Sequence, residues 1–118
     1  IFLSGEESGA EGRAFAHVLD GSDAGKVYEV PSLGNLSFEN VVANPLAQNK
    51  TVVASLDDTS TNGQVYVYVG NKATTGNAVQ QAGLADGITY GIRVNSLYAL
   101  NNWEAGEQPN PGDRVVLR

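Results

Sequence analysis

The amino-acid sequence predicts an all-β protein, and three observations carry that expectation. Fourteen glycines and clusters of Asn, Ser, Thr and Asp separate short apolar segments, the punctuation of many tight turns. Apolar residues recur at strand spacing, and no sustained 3.6-residue stripe runs along the chain. The third observation is an internal repeat, because Ile1 to Val18 aligns without a gap on Val52 to Val69 at an offset of 51 residues.

The repeat agrees by residue type and position. Ile1-Phe2-Leu3-Ser4 falls on Val52-Val53-Ala54-Ser55, Glu6-Glu7 on Asp57-Asp58, Gly12 on Gly63, and Arg13-Ala14-Phe15-Ala16 on Gln64-Val65-Tyr66-Val67. Each copy therefore reads strand, acidic pair, polar turn, strand. A further strand follows each copy, at Lys26 to Val30 and at Ile88 to Val94. The second is delayed by an insertion over residues 74–86, within which Ala78 to Leu84 suits one helical turn. Between the copies, Leu36 to Ala43 reads as another strand, closed by Asn44-Pro45 because proline cannot donate to a ladder.

The second unit then has four strands in an up-and-down meander. Four antiparallel strands repeating at about 50 residues is the period of a propeller blade. The expected organisation is a partial blade over residues 1–35, a second blade over 36–95 with the 74–86 insertion, and a connector over 96–118 that begins another strand near Asp113. The fold expected is thus antiparallel four-stranded meander repeats forming about two blades of a β-propeller. A β-sandwich of look-alike hairpins is the plainer alternative. An open run of blades leaves strand edges exposed, so self-association by edge pairing is expected.

Composition narrows the function. With 42% hydrophobic and 17% charged residues, the 118-residue chain can bury a core. Its longest apolar stretches, such as Val65 to Val69, fall far short of the roughly 20 residues of a membrane-spanning helix. A net charge of −6 repels phosphate backbones, which argues against nucleic acid or an anionic membrane as partner and favours cations. Cysteine is absent, so disulfides, thiolate metal sites and cysteine nucleophiles are excluded within these residues and the redox compartment stays open. The opening Ile1-Phe2-Leu3, with no charged segment ahead of it, reads as the start of a piece cut from a longer protein.

The repeated acidic pairs are the candidate chemistry. Successive side chains on a strand point to opposite faces, so one member of each pair can face inward while the other faces out or along the turn. Calcium takes 6–8 oxygen ligands, and carboxylates converging from neighbouring strands suit it. The candidate metal ligands are Glu6, Glu7, Asp57 and Asp58, with Glu39 added because it interrupts the apolar run Leu36 to Val42, where an unpaired carboxylate is costly to bury. Acidic residues at strand ends are also ordinary turn formers; the repetition in register is what singles these out. His17, the lone histidine, aligns with Tyr68 and reads as a strand residue. No serine lies in a nucleophile elbow, which argues against a Ser-His-Asp triad. Tyr66, Tyr68, Tyr90 and Tyr98 read as sheet-packing residues, and Trp103 as a loop residue able to stack on a sugar.

At these residues the chain resembles the PhoX-type alkaline phosphatases, secreted bacterial β-propeller proteins with calcium at the centre. The likeness is carried by Ile1-Phe2-Leu3-Ser4-Gly5-Glu6-Glu7, by Ser37-Phe38-Glu39-Asn40, and by Leu56-Asp57-Asp58 followed by Gln64-Val65-Tyr66-Val67-Tyr68. These segments occur in the family's order over residues 1–94. The resemblance implies a calcium-dependent phosphoester hydrolase, secreted or periplasmic, with a phosphate ester as substrate and calcium lowering the pKa of a bound water. In that family an iron-binding cysteine precedes the Glu-Glu pair. Here Gly5 takes that place, so iron is not expected and a calcium-only site, as in the β-propeller phytases, is. A central propeller site draws ligands from most blades, which implies that activity belongs to the longer protein. Two other functions fit the same residues: a noncatalytic propeller for binding or scaffolding, and a carbohydrate-binding β-domain built on Trp103.

Overall fold

The computed structural model describes residues 1–60, 63–94 and 115–117. The described residues form two antiparallel sheets. The first contains β1 (Phe2–Gly5), β2 (Ala14–His17) and β3 (Val27–Glu29) in that order; the second contains β4 (Phe38–Ala43), β5 (Lys50–Asp57), β6 (Val65–Asn71), β7 (Gly87–Val94) and β8 (Val115–Leu117), also in chain order. The fold is all-β, with one short helix, α1 (Ala78–Gln81), among the described residues. Among the described residues, neither sheet closes on itself.

The repeat is realised down to its hydrogen-bond register. Phe2, Leu3, Ser4 and Gly5 of β1 face His17, Ala16, Phe15 and Ala14 of β2. Shifted by the same offset, Val53, Ala54, Ser55 and Leu56 of β5 face Tyr68, Val67, Tyr66 and Val65 of β6. The loop between the strands closes identically, with the Glu6 amide donating to the Arg13 carbonyl at 2.9 Å and the Asp57 amide to the Gln64 carbonyl at 3.0 Å. The matched glycines have a shared cause. A Cβ at Gly12 would overlap the carbonyl oxygens of Leu36 and Glu6, and one at Gly63 would lie 2.7 Å from those of Asp57 and Thr59.

The core lies between the two sheets. Ala14, Ala16 and Val30, with Leu3 and Tyr28 beside them, pack from the first sheet against Phe38, Val53 and Tyr68 of the second, with Tyr66 and Val41 alongside. Leu33, Val79 and Leu84 close one end. There the insertion over residues 74–86 forms α1, begun by a capping box in which Asn77 and Gln80 each accept from the other's backbone amide. It is tied down by Tyr68, whose hydroxyl donates to the Gly83 carbonyl at 2.9 Å, and by Ser32, whose hydroxyl donates to the Leu84 carbonyl.

Three features differ from the sequence expectation. The strand expected from Leu36 begins at Phe38, because the Leu36 amide donates to the Gly12 carbonyl and the Ser37 amide to Asp57 Oδ1. The strand expected to open another unit, β8, instead pairs with β7 as a fifth strand of the second sheet. A third difference is that Pro31–Leu33, given no element by the sequence reading, forms a short 3-10 turn, while the expected polar turn holds one at Gly9–Glu11. Trp103 and Tyr98 lie outside the described residues, as does most of the 96–118 connector. No helix among the described residues is long and apolar enough to cross a membrane.

Candidate metal centre

The segment Leu36–Phe38 passes between the two acidic turns and is bonded to both. Leu36 and Phe38 donate their amides to the carbonyls of Gly12 and Glu6 at 3.1 and 3.0 Å. On the other side the Asp58 amide donates to the Ser37 carbonyl at 2.8 Å. This crosspiece holds the ends of β1 and β5 together across the gap between the sheets.

Of the five candidate ligands, the structure brings three together. Glu7, Glu39 and Asp58 each offer a carboxylate oxygen, and these oxygens lie within 4.8 Å of one another. Two oxygens on one calcium at about 2.4 Å can be at most about 4.8 Å apart, so the spacing fits a shared cation. Glu7 and Asp58 occupy matched positions of the repeat, one from each sheet. All three side chains are exposed.

Glu6 and Asp57, the preceding members of each pair, have a different task. Glu6 Oε2 accepts from the Arg13 backbone amide at 3.1 Å and from Arg13 Nε at 3.2 Å, and the guanidinium holds its carboxyl below the usual carboxylate range. Asp57 Oδ1 accepts from the Ser37 amide at 3.2 Å and from Thr59 Oγ1 at 2.6 Å. Both carboxylates fasten their own turn. The alternation expected for adjacent strand-end residues thus separates the pair into one staple and one free carboxylate.

Glu39 reaches the cluster by a route that burial cost does not explain. It is exposed, and the ladder between β4 and β5 steps from Phe38 opposite Asp57 to Asn40 opposite Leu56. Glu39 is therefore the extra residue of a β-bulge, a device that re-aims a side chain at a sheet rim. Phe38 turns into the core while Glu39 turns toward Glu7 and Asp58.

The donor set is three hard oxygen ligands, which fits calcium and gives iron no thiolate. Gly5 also leaves no space for the cysteine side chain of the resembling family, since a Cβ there would overlap Phe38. Elsewhere, Ser4 Oγ lies 2.8 Å from His17 Nε2, a pair the sequence did not signal. Its matched positions are Ser55 and Tyr68, both buried in the core, whereas Ser4 and His17 are half-exposed. A groove of about 560 Å³ between Tyr28, Val30 and the insertion's Val79 and Leu84 lies at the other end of the sheets, away from the carboxylates.

Comparison with protein-family models, curated proteins and solved structures returns no match to this chain.

Proposed function

We propose that the chain forms two blades of a calcium-dependent β-propeller that hydrolyses phosphate esters. The observation that carries this reading is the convergence of Glu7, Glu39 and Asp58. Each comes from one of the three segments that resemble the PhoX-type phosphatases. Three monodentate or bidentate carboxylates supply three to six oxygens, which leaves positions on a calcium for water and a phosphate oxygen. When bound, calcium would neutralise phosphate charge and lower the pKa of a coordinated water. The chain's own part is to hold three carboxylates at one rim, with Glu6 and Asp57 fixing the turns that present them. Calcium is abundant outside cells, so a secreted or periplasmic location belongs to the same proposal.

A noncatalytic, calcium-held module is the second reading, favoured by the engagement of two basic residues among the described ones: Arg13 pairs with Glu6 and Glu29, and Lys26 with Asp23, so both cations already hold carboxylate partners.

Calorimetric titration of calcium into the metal-stripped protein tests the shared premise. Glu39→Gln and Asp58→Asn should each weaken binding at least tenfold, whereas Glu6→Gln should leave it within about twofold. Binding indifferent to Glu39 and Asp58 would overturn both readings. Hydrolysis of p-nitrophenyl phosphate by the natural full-length polypeptide, lost on chelation and on Glu39→Gln, supports the phosphatase; calcium binding without turnover supports the module.

A further inference from the structure

Glycine ends β1 at a position where the hairpin itself does not call for it. Gly5 faces Ala14 across the ladder as Leu56, its match in the second copy, faces Val65, so the same place in the same hairpin accepts a large side chain. Its backbone is that of a strand, not the left-handed conformation that glycine serves at Gly9 or Gly21. What distinguishes Gly5 is the residue packed on it. A Cβ there would fall on the Cβ of Phe38 and lie 2.6 Å from its Cγ.

The Cβ of Phe38 is fixed to the β4 backbone, so no rotation of the phenyl ring relieves that overlap. Non-bonded carbons settle about 3.5–4.0 Å apart, and β4 would have to withdraw from β1 by about 1 Å or more. Gly12 repeats the condition at the other end of the crosspiece, where a Cβ would overlap the Leu36 carbonyl oxygen. These two bare positions let Leu36–Phe38 lie directly on the first sheet, close enough for the Leu36 and Phe38 amides to reach the Gly12 and Glu6 carbonyls. The three carboxylates divide at this same contact. Glu39 and Asp58 belong to one body, because Phe38 is laddered to Asp57 and the Asp58 amide bonds the Ser37 carbonyl; Glu7 belongs to the other. The distance from Glu7 to its two partners is therefore set by how closely the crosspiece seats on Gly5 and Gly12.

We propose that Gly5 and Gly12 are positioning residues of the metal centre: by carrying no side chain they bring the first sheet's Glu7 into one coordination shell with the second sheet's Glu39 and Asp58. This inference rests on the calcium reading of those carboxylates. Calcium–oxygen bonds span only about 2.3–2.6 Å, so withdrawal by about 1 Å takes a carboxylate off the ion. A methyl group added at either glycine thus removes Glu7 from the site without altering a ligand. Glu39 and Asp58 stay together and keep a weaker hold.

A double-mutant cycle read by calorimetric calcium titration of the metal-stripped protein tests it. In the wild-type chain Glu7→Gln should weaken calcium binding about tenfold or more. Gly5→Ala should do the same while the chain still melts cooperatively. In the Gly5→Ala background Glu7→Gln should then change affinity less than about twofold, whereas Asp58→Asn still weakens it. Gly12→Ala, an independent variant of the same seat, should give the same pattern. Additive losses, in which Glu7→Gln costs as much beside alanine as beside glycine, would mark a general loosening of the fold and overturn the proposal. So would undiminished calcium affinity in both glycine variants, and so would failure of both to melt cooperatively, since the glycines would then hold the fold and not the site. These outcomes leave the calcium reading standing. A wild-type chain that binds no calcium, or binds it regardless of Glu7, Glu39 and Asp58, removes that reading and this inference together.

Discussion

Tyr68 shows how much one side chain can carry. It is buried in the core between the sheets, faces Val53 across the ladder, and donates its hydroxyl to the Gly83 carbonyl. Tyr68→Phe should cost about 1 kcal/mol in a denaturant titration, because the carbonyl loses its partner while the ring stays packed. Burial, helped by the nearby Asp86 charge, pushes the Tyr68 hydroxyl above the ordinary tyrosine value. An acid with a raised folded pKa keeps its proton longer folded than unfolded. Its effect on stability is therefore flat below about pH 10 and stability falls as pH rises beyond that, a loss Tyr68→Phe should reduce. At Gly12 the constraint is steric. Gly12→Ala should destabilise by about 1–3 kcal/mol, since the overlap is with backbone oxygens that cannot rotate away.

At the scale of the turn, the paired acids should separate cleanly in experiment. Asp57→Ala removes the acceptor of the Ser37 amide and should cost about 1 kcal/mol of stability, weakening calcium far less than the loss of Asp58. Asp58→Ala should do the reverse, weakening calcium while leaving the metal-free melting temperature unchanged or slightly raised through relief of repulsion among three carboxylates. Thermal melts with and without calcium read both. The strands were legible in the sequence because alternation and turn residues are local signals. Their register was legible because two copies of one hairpin had to satisfy the same ladder. The bulge at Glu39 was not, since nothing in Phe38-Glu39-Asn40 marks an unpaired residue and the step exists only against β5. In the sequence only its apolar neighbours distinguish Glu39, whereas its exposure and its aim come from the bulge. The pairing of β8 with β7 was likewise hidden, because a three-residue strand carries no address for its partner.

For the molecule as a whole, the two ends of the sheets are differently built. The insertion closes one end with buried Val79 and Leu84, and the other carries the carboxylates. Calcium at a hundred times its dissociation constant should add about 2.7 kcal/mol to stability by binding only the folded state. The sequence could indicate which residues repeat, but not that Val53 and Tyr68 of the second sheet pack against Ala14 and Ala16 of the first, because that relation is between sheets and not between positions. The crosspiece Leu36–Phe38 has a kinetic consequence. Its amides bond the first turn and its Ser37 carbonyl accepts from the Asp58 amide of the second, so the two turns share one hydrogen-bonded segment. Hydrogen exchange at Leu36, Phe38 and Asp58 should then proceed as one cooperative unit, slowed together by calcium, while the amides of the insertion keep their own rate. Such a unit makes a disturbance of one acidic turn audible, on the timescale of exchange, at the other.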